Sequence, residues 1–182
     1  GIILIALMVI IGGITRLTQS GLSMVDWKPI HGAIPPLNEA EWQEEFAKYK
    51  QFPEYQKINK GMELSEFKMI FFWEYLHRLL GRVIGLVFFI PFLIFWMKKW
   101  FSNKQKKQLL LLLFFGGFQG FLGWFMVKSG LVDRPHVSHF RLAIHLLAAF
   151  GLMCYIYWLI LSFNKVPKKQ HTKLHQLSRW FI

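Results

Sequence analysis

The sequence predicts an all-α integral membrane fold, a bundle of four transmembrane helices with one long outer loop that contains a short amphipathic helix. Three observations lead there. The 182-residue chain is 54% hydrophobic and 18% aromatic, more apolar surface than a soluble domain of this size can bury. The apolar residues fall into long runs, at about 1–15, 69–97, 109–127 and 140–163. The formal charge of +12 is also unevenly placed: loops 98–108 and 164–179 hold ten Lys and Arg and no acid, whereas 16–68 holds seven Lys and Arg against eight Asp and Glu. An excess of cations marks the inner side of a membrane. Loops 98–108 and 164–179 are therefore expected in the cytoplasm or mitochondrial matrix, and 16–68 and 128–139 outside. The charge is thus accounted for by topology, which argues against nucleic acid and leaves membrane lipid as the surroundings. The single Cys154, in the fourth run, permits neither an intrachain disulfide nor a thiolate metal cluster and reads as a packing residue.

The first run is shorter than a hydrocarbon core of about 30 Å requires at about 1.5 Å per residue. There is no initiator Met, and Arg179-Trp180-Phe181-Ile182 reads as the start of another span. Both ends are thus expected to be cut, with residues 1–163 forming a four-helix unit and 164–182 a cytoplasmic connector into a fifth span. In the outer loop, residues 17–38 are rich in Gly, Ser and Pro and are expected to be ordered but not helical. Asn38 then precedes an acidic turn, and Trp42, Phe46 and Tyr49 recur at helical spacing. That pattern predicts a short amphipathic helix lying on the membrane, in a loop long enough to form a lid. The second span contains Pro91, a candidate kink. The third carries Gly116, Gly117, Gly120 and Gly123, which would allow close helix approach.

Two short runs carry the chemistry. Glu74-Tyr75-Leu76-His77-Arg78, with Arg82 one turn on, opens the second span, and Arg141-Leu142-Ala143-Ile144-His145-Leu146 opens the fourth. These spans run in the same direction. His77 lies twenty residues before Met97 and His145 eighteen before Phe163, so the two histidines fall at nearly one depth. Ionisable groups inside a span are costly and mark function by default. Two imidazoles facing across a bundle are a natural clamp for haem iron, so His77 and His145 are the candidate metal ligands. Glu74 shares a helical face with His77. Arg78 and Arg82 suit the propionate carboxylates of a porphyrin. The plainer alternatives are an ordinary i, i+4 ion pair between Glu74 and Arg78 and an Arg82 that reaches toward headgroups. His136 and His139 are expected at the outer interface, with His139 a rival to His145, and His31 in loop packing. His171 and His175 are expected on a solvated face of the basic inner segment.

These runs, together with Gly12-Gly13-Ile14-Thr15-Arg16-Leu17-Thr18-Gln19-Ser20-Gly21-Leu22-Ser23 and Trp27-Lys28-Pro29-Ile30-His31-Gly32-Ala33-Ile34-Pro35-Pro36-Leu37, resemble the haem A synthase family in order and over nearly the whole chain. The likeness is to its mitochondrial and proteobacterial branch, whose first outer loop lacks a cysteine pair. The resemblance implies an eight-helix bundle of two pseudo-symmetric halves, of which this chain is the first half and the start of the fifth helix. It implies oxidation of the C8 methyl of haem O to a formyl group through a hydroxymethyl stage, for the haem A of cytochrome oxidase. It also implies Glu74 as the catalytic carboxylate, His77 and His145 on the substrate side, and a haem b held by a second histidine pair in the other half. A haem O synthase, an electron acceptor and further copies of the chain are the partners such an enzyme would have. Two other functions share the histidine clamp: a b-type membrane cytochrome, which has no use for Glu74, and a haem-carrying assembly factor that leaves the porphyrin unchanged.

Overall fold

The structure, a computed structural model, describes residues 1–26, 33–130 and 136–163. It contains helices α1 (Ile2–Leu17), α2 (Glu39–Tyr49), α3 (Pro53–Lys57), α4 (Leu64–Met97), α5 (Asn103–Gly130) and α6 (His139–Phe163), and no strand among the described residues. Three of them, α4, α5 and α6, are long and apolar enough to cross a membrane. The 16 residues of α1 are apolar but short of that length. Little of each spanning stretch is buried, and large apolar side chains are exposed, including Phe114, Phe118 and Phe121 on α5 and Leu147, Phe150 and Trp158 on α6. Exposed apolar faces on this scale require lipid or protein around them, as in a multi-pass membrane protein.

The long helices form an up-and-down square. α1 packs on α4 and α6, and α5 packs on the same two, so α4 and α6 occupy one diagonal. Contacts fix the relative heights. Gly1 meets Ile156 and Arg16 meets His139, so α1 and α6 are antiparallel. Tyr155 Oη donates to the Gln108 carbonyl at 3.0 Å, which aligns α6 with the start of α5.

The boundaries of α2 and α4 have local causes. Asn38 accepts from the Glu41 N–H at 2.9 Å, while Glu41 accepts in return from the Leu37 N–H, which closes the first turn of α2. Glu63 and Glu66 form a reciprocal capping box that starts α4 about a turn before the apolar run begins. That extra turn matters, because Phe67 lies on it. The apolar face of α2 does not lie on the membrane: Phe46 and Tyr49 are buried against Phe67, with Phe71 and Met24 completing one aromatic cluster. The amphipathic pattern was right, but protein covers the face, because α4 extends outward far enough to offer its own aromatic rings.

Pro91 lies inside α4, which continues as a helix past it. Two finer expectations differ. Gly116, Gly117 and Gly120 face open space, and only Gly123 approaches a neighbour, the ring of His145. Cys154 is exposed on α6, not packed. His31, with residues 27–32, and the segment 164–182 containing His171 and His175 lie outside the described residues.

Candidate haem-binding site

The site forms where α4, the C-terminal end of α1 and the loop that follows α1 meet. α1 ends at Thr18, and the chain turns back through Gln19 at a positive φ of 53°. The returning loop buries Ser20, Leu22 and Ser23 almost completely. It ends against Glu74, which is only 3% exposed. Ser23 Oγ donates to Glu74 Oε2 at 2.7 Å and the Met24 N–H donates to the same oxygen at 2.8 Å. The other carboxylate oxygen is ion-paired with Arg78. Arg78 reaches the loop as well, donating to the Met24 carbonyl at 2.8 Å and the Asp26 carbonyl at 3.4 Å. A buried carboxylate is costly unless a charge and hydrogen bonds compensate it. Here one cation and two neutral donors do so.

His77 sits one turn along from Glu74 on the same helix. Its ring presses on α1 at Gly12, where a Cβ would stand 3.0 Å from Cε1 and 3.4 Å from Nδ1. An alanine there would force the imidazole to move, so the glycine sets the ring's place. His145 stands against Gly123 with more room, 3.6 Å from the position of a Cβ. Interpolating between the Gly1–Ile156 and Arg16–His139 contacts puts Gly12 level with about residue 144 of α6. The two histidines therefore share one level on diagonal helices.

The Nδ1 atoms of both rings are buried and have no hydrogen-bond partner. Such an atom is unusual in a finished core. No cluster of three or more His, Cys, Asp or Glu that could hold a metal ion occurs among the described residues. A bare ion would want more protein ligands than two imidazoles. Haem iron wants only axial ligands, because the porphyrin supplies the rest. The donor set therefore fits a haem and not a free cation. Arg82, half-buried, lies one turn beyond Arg78. His139 is engaged elsewhere: Arg16, which can only donate, bonds its Nδ1 at 3.1 Å. His136 is exposed.

Sequence reasoning missed Ser23, the Met24 N–H and Gly12. A Ser-Gly-Leu-Ser turn and a Gly pair were visible, but their contacts lie 51 and 65 positions along the chain. No local pattern announces such pairings. It also missed Tyr75, whose hydroxyl donates to the Ala33 carbonyl at 2.8 Å and ties the far part of the outer loop to α4.

Fold and site together define a polytopic membrane protein with a buried, clasped carboxylate one turn from a histidine and a second histidine at the same level. The profile of the COX15-CtaA family, described as cytochrome oxidase assembly protein, matches residues 1–182. The chain belongs to that family. It is 55% identical over 172 residues to a heme A synthase of Flavobacterium psychrophilum, covering 93% of this chain and 51% of that protein. It is 55% identical over 159 residues to a heme A synthase of Nitrosospira multiformis (87% and 45%), and 59% identical over 143 residues to one of Rhodospirillum centenum (79% and 38%). The chain spans about half the length of the curated relatives it matches. No solved structure matches it.

Proposed function

We propose that this chain is the substrate-binding half of a haem A synthase, which oxidises the C8 methyl of haem O to a formyl group through a hydroxymethyl stage. The observation that carries the reading is the clasped Glu74 one turn from His77, with His145 at the same level across the bundle. The names of the relatives support it. His77 and His145 hold or sense the substrate iron, a reading supported by the buried, unpartnered Nδ1 of each ring. Gly12 keeps the His77 ring against α1. Arg82 and the outer edge of Arg78 offer cationic partners to the porphyrin carboxylates. Glu74 stabilises positive charge that develops on the methyl carbon as electrons leave, and accepts a proton there. A haem b bound in the other half of the protein would supply redox capacity. The electron acceptor and a haem O synthase are its functional neighbours.

Positive charge at 98–108 and 164–179 supports placing these loops inside and the aromatic cap outside. The site then lies toward the outer face.

The test is chromatography of haems extracted from cells that make the full-length protein with a supply of haem O. Wild type should accumulate haem A. Glu74→Gln should lower haem A by a factor of about 100 to 1000, the loss typical of a removed charge-stabilising group. Unchanged haem O in wild type, with haem still bound, would favour a carrier or electron-transfer protein.

A further inference from the structure

The clasp around Glu74 contains one side chain with no other evident purpose. Ser23 is 1% exposed. Its hydroxyl has one hydrogen and two acceptors within reach: Glu74 Oε2 at 2.7 Å and the Ser20 carbonyl at 3.0 Å. The shorter contact is to the charged acceptor, where a hydrogen bond is about twice as strong. The neighbouring Met24 N–H reaches the same oxygen, and Arg78 fastens both Glu74 and the Met24 carbonyl. The carboxylate is therefore fixed from the loop on one oxygen and from its own helix on the other. A glutamate held only by an i, i+4 arginine would remain free to turn about its side-chain bonds. Fixing both oxygens removes that freedom, and a reacting group must be held to within a fraction of an ångström to be effective.

We infer that Ser23 is a positioning residue for Glu74: with the Met24 N–H it pins Oε2 to the outer loop and fixes where the carboxylate stands beside His77. This rests on the reading of Glu74 as the reacting carboxylate. It adds a consequence, since the loop from Thr18 to Met24 becomes part of the active geometry, joined to the Glu74 carboxylate through the Ser23 hydroxyl and the Met24 N–H.

The experiment uses the full-length protein in lipid nanodiscs and infrared spectroscopy with ¹³C-labelled glutamate. The Glu74 carboxylate band is identified by its loss in Glu74→Gln. Ser23→Ala should shift that band, and Ser23→Thr, which keeps the hydroxyl, should restore it. Ser20→Ala removes a neighbouring buried hydroxyl that does not touch Glu74 and should leave the band in place. Turnover of haem O by Ser23→Ala should fall about tenfold in kcat with little change in KM. A band unmoved by Ser23→Ala, or moved equally by Ser20→Ala, would overturn the assignment. If the band responds to Ser23 alone but wild type yields no haem A, the positioning contact stands and the proposed reaction fails.

Discussion

Two glutamates in this chain are equally hidden and differently equipped. Glu74 is 3% exposed and Glu54, on α3 in the outer cap, is 5% exposed. Glu74 has an arginine, a serine hydroxyl and a backbone N–H. Among the described residues Glu54 has the Tyr49 hydroxyl as its side-chain partner, which donates to it at 3.1 Å while accepting from Asn59 at 2.7 Å. Burial pushes the Glu54 carboxyl up to about 7; the Tyr49 hydrogen bond opposes this, and the Glu74 charge adds to it. Burial alone therefore does not mark the chemistry. The set of partners does: Glu74 is provided for as a charge, and Glu54 is not.

Removing the cation should erase the difference most forcefully. Arg78→Ala would leave Glu74 buried without its counter-charge and should cost about 3–5 kcal/mol. A lowered thermal midpoint in micelles would register the loss, and the double variant Arg78→Met with Glu74→Gln should recover much of it. An unchanged midpoint would mean that the two serine-loop donors suffice.

The next effect is pH dependence, and it belongs to Glu54. Its pKa in the fold is above the ordinary 4.5. Between about 4.5 and about 7 the folded cap keeps a proton that the unfolded chain releases. Its contribution is therefore full below about 4.5 and is lost as pH rises through about 7, by up to about 3 kcal/mol. Amide exchange in residues 39–67, corrected for its intrinsic base catalysis, should slow on acidification from pH 8 to pH 5, and Glu54→Gln should flatten that dependence. Exchange that slows in the opposite direction would contradict the account of Glu54. Smallest is Tyr49→Phe, which strips Glu54 of its donor and Asn59 of its acceptor and should cost about 1–2 kcal/mol in cap stability. If it costs nothing, water replaces the hydroxyl and the contrast between the two carboxyls narrows.

The contrast also shows what was legible in advance. Glu74 announced itself, because an acid in the entry turn of an apolar run, three residues from a histidine, is conspicuous. Glu54 did not, because no local pattern in Phe52-Pro53-Glu54-Tyr55 marks a buried acid. Its burial depends on α2 folding onto Phe67, a contact made only once α4 starts early enough to present that ring. The amphipathic spacing of Trp42, Phe46 and Tyr49 was correct as a pattern and silent about its counterpart. The glycines of α5 erred for a related reason: small residues permit close packing, but only Gly123 has a neighbour placed to use it.

Composition and periodicity determined the membrane class, the long apolar helices and the common level of His77 and His145, because length and hydropathy act along the chain at about 1.5 Å per residue. What tertiary structure alone decided was who meets whom: Ser23 with Glu74, Gly12 with His77, α2 with α4. Those contacts join residues tens of positions apart, and they depend on a turn after α1 and a capping box before Phe67. Their energies come from burial and hydrogen-bond geometry, which exist only after the chain has closed on itself.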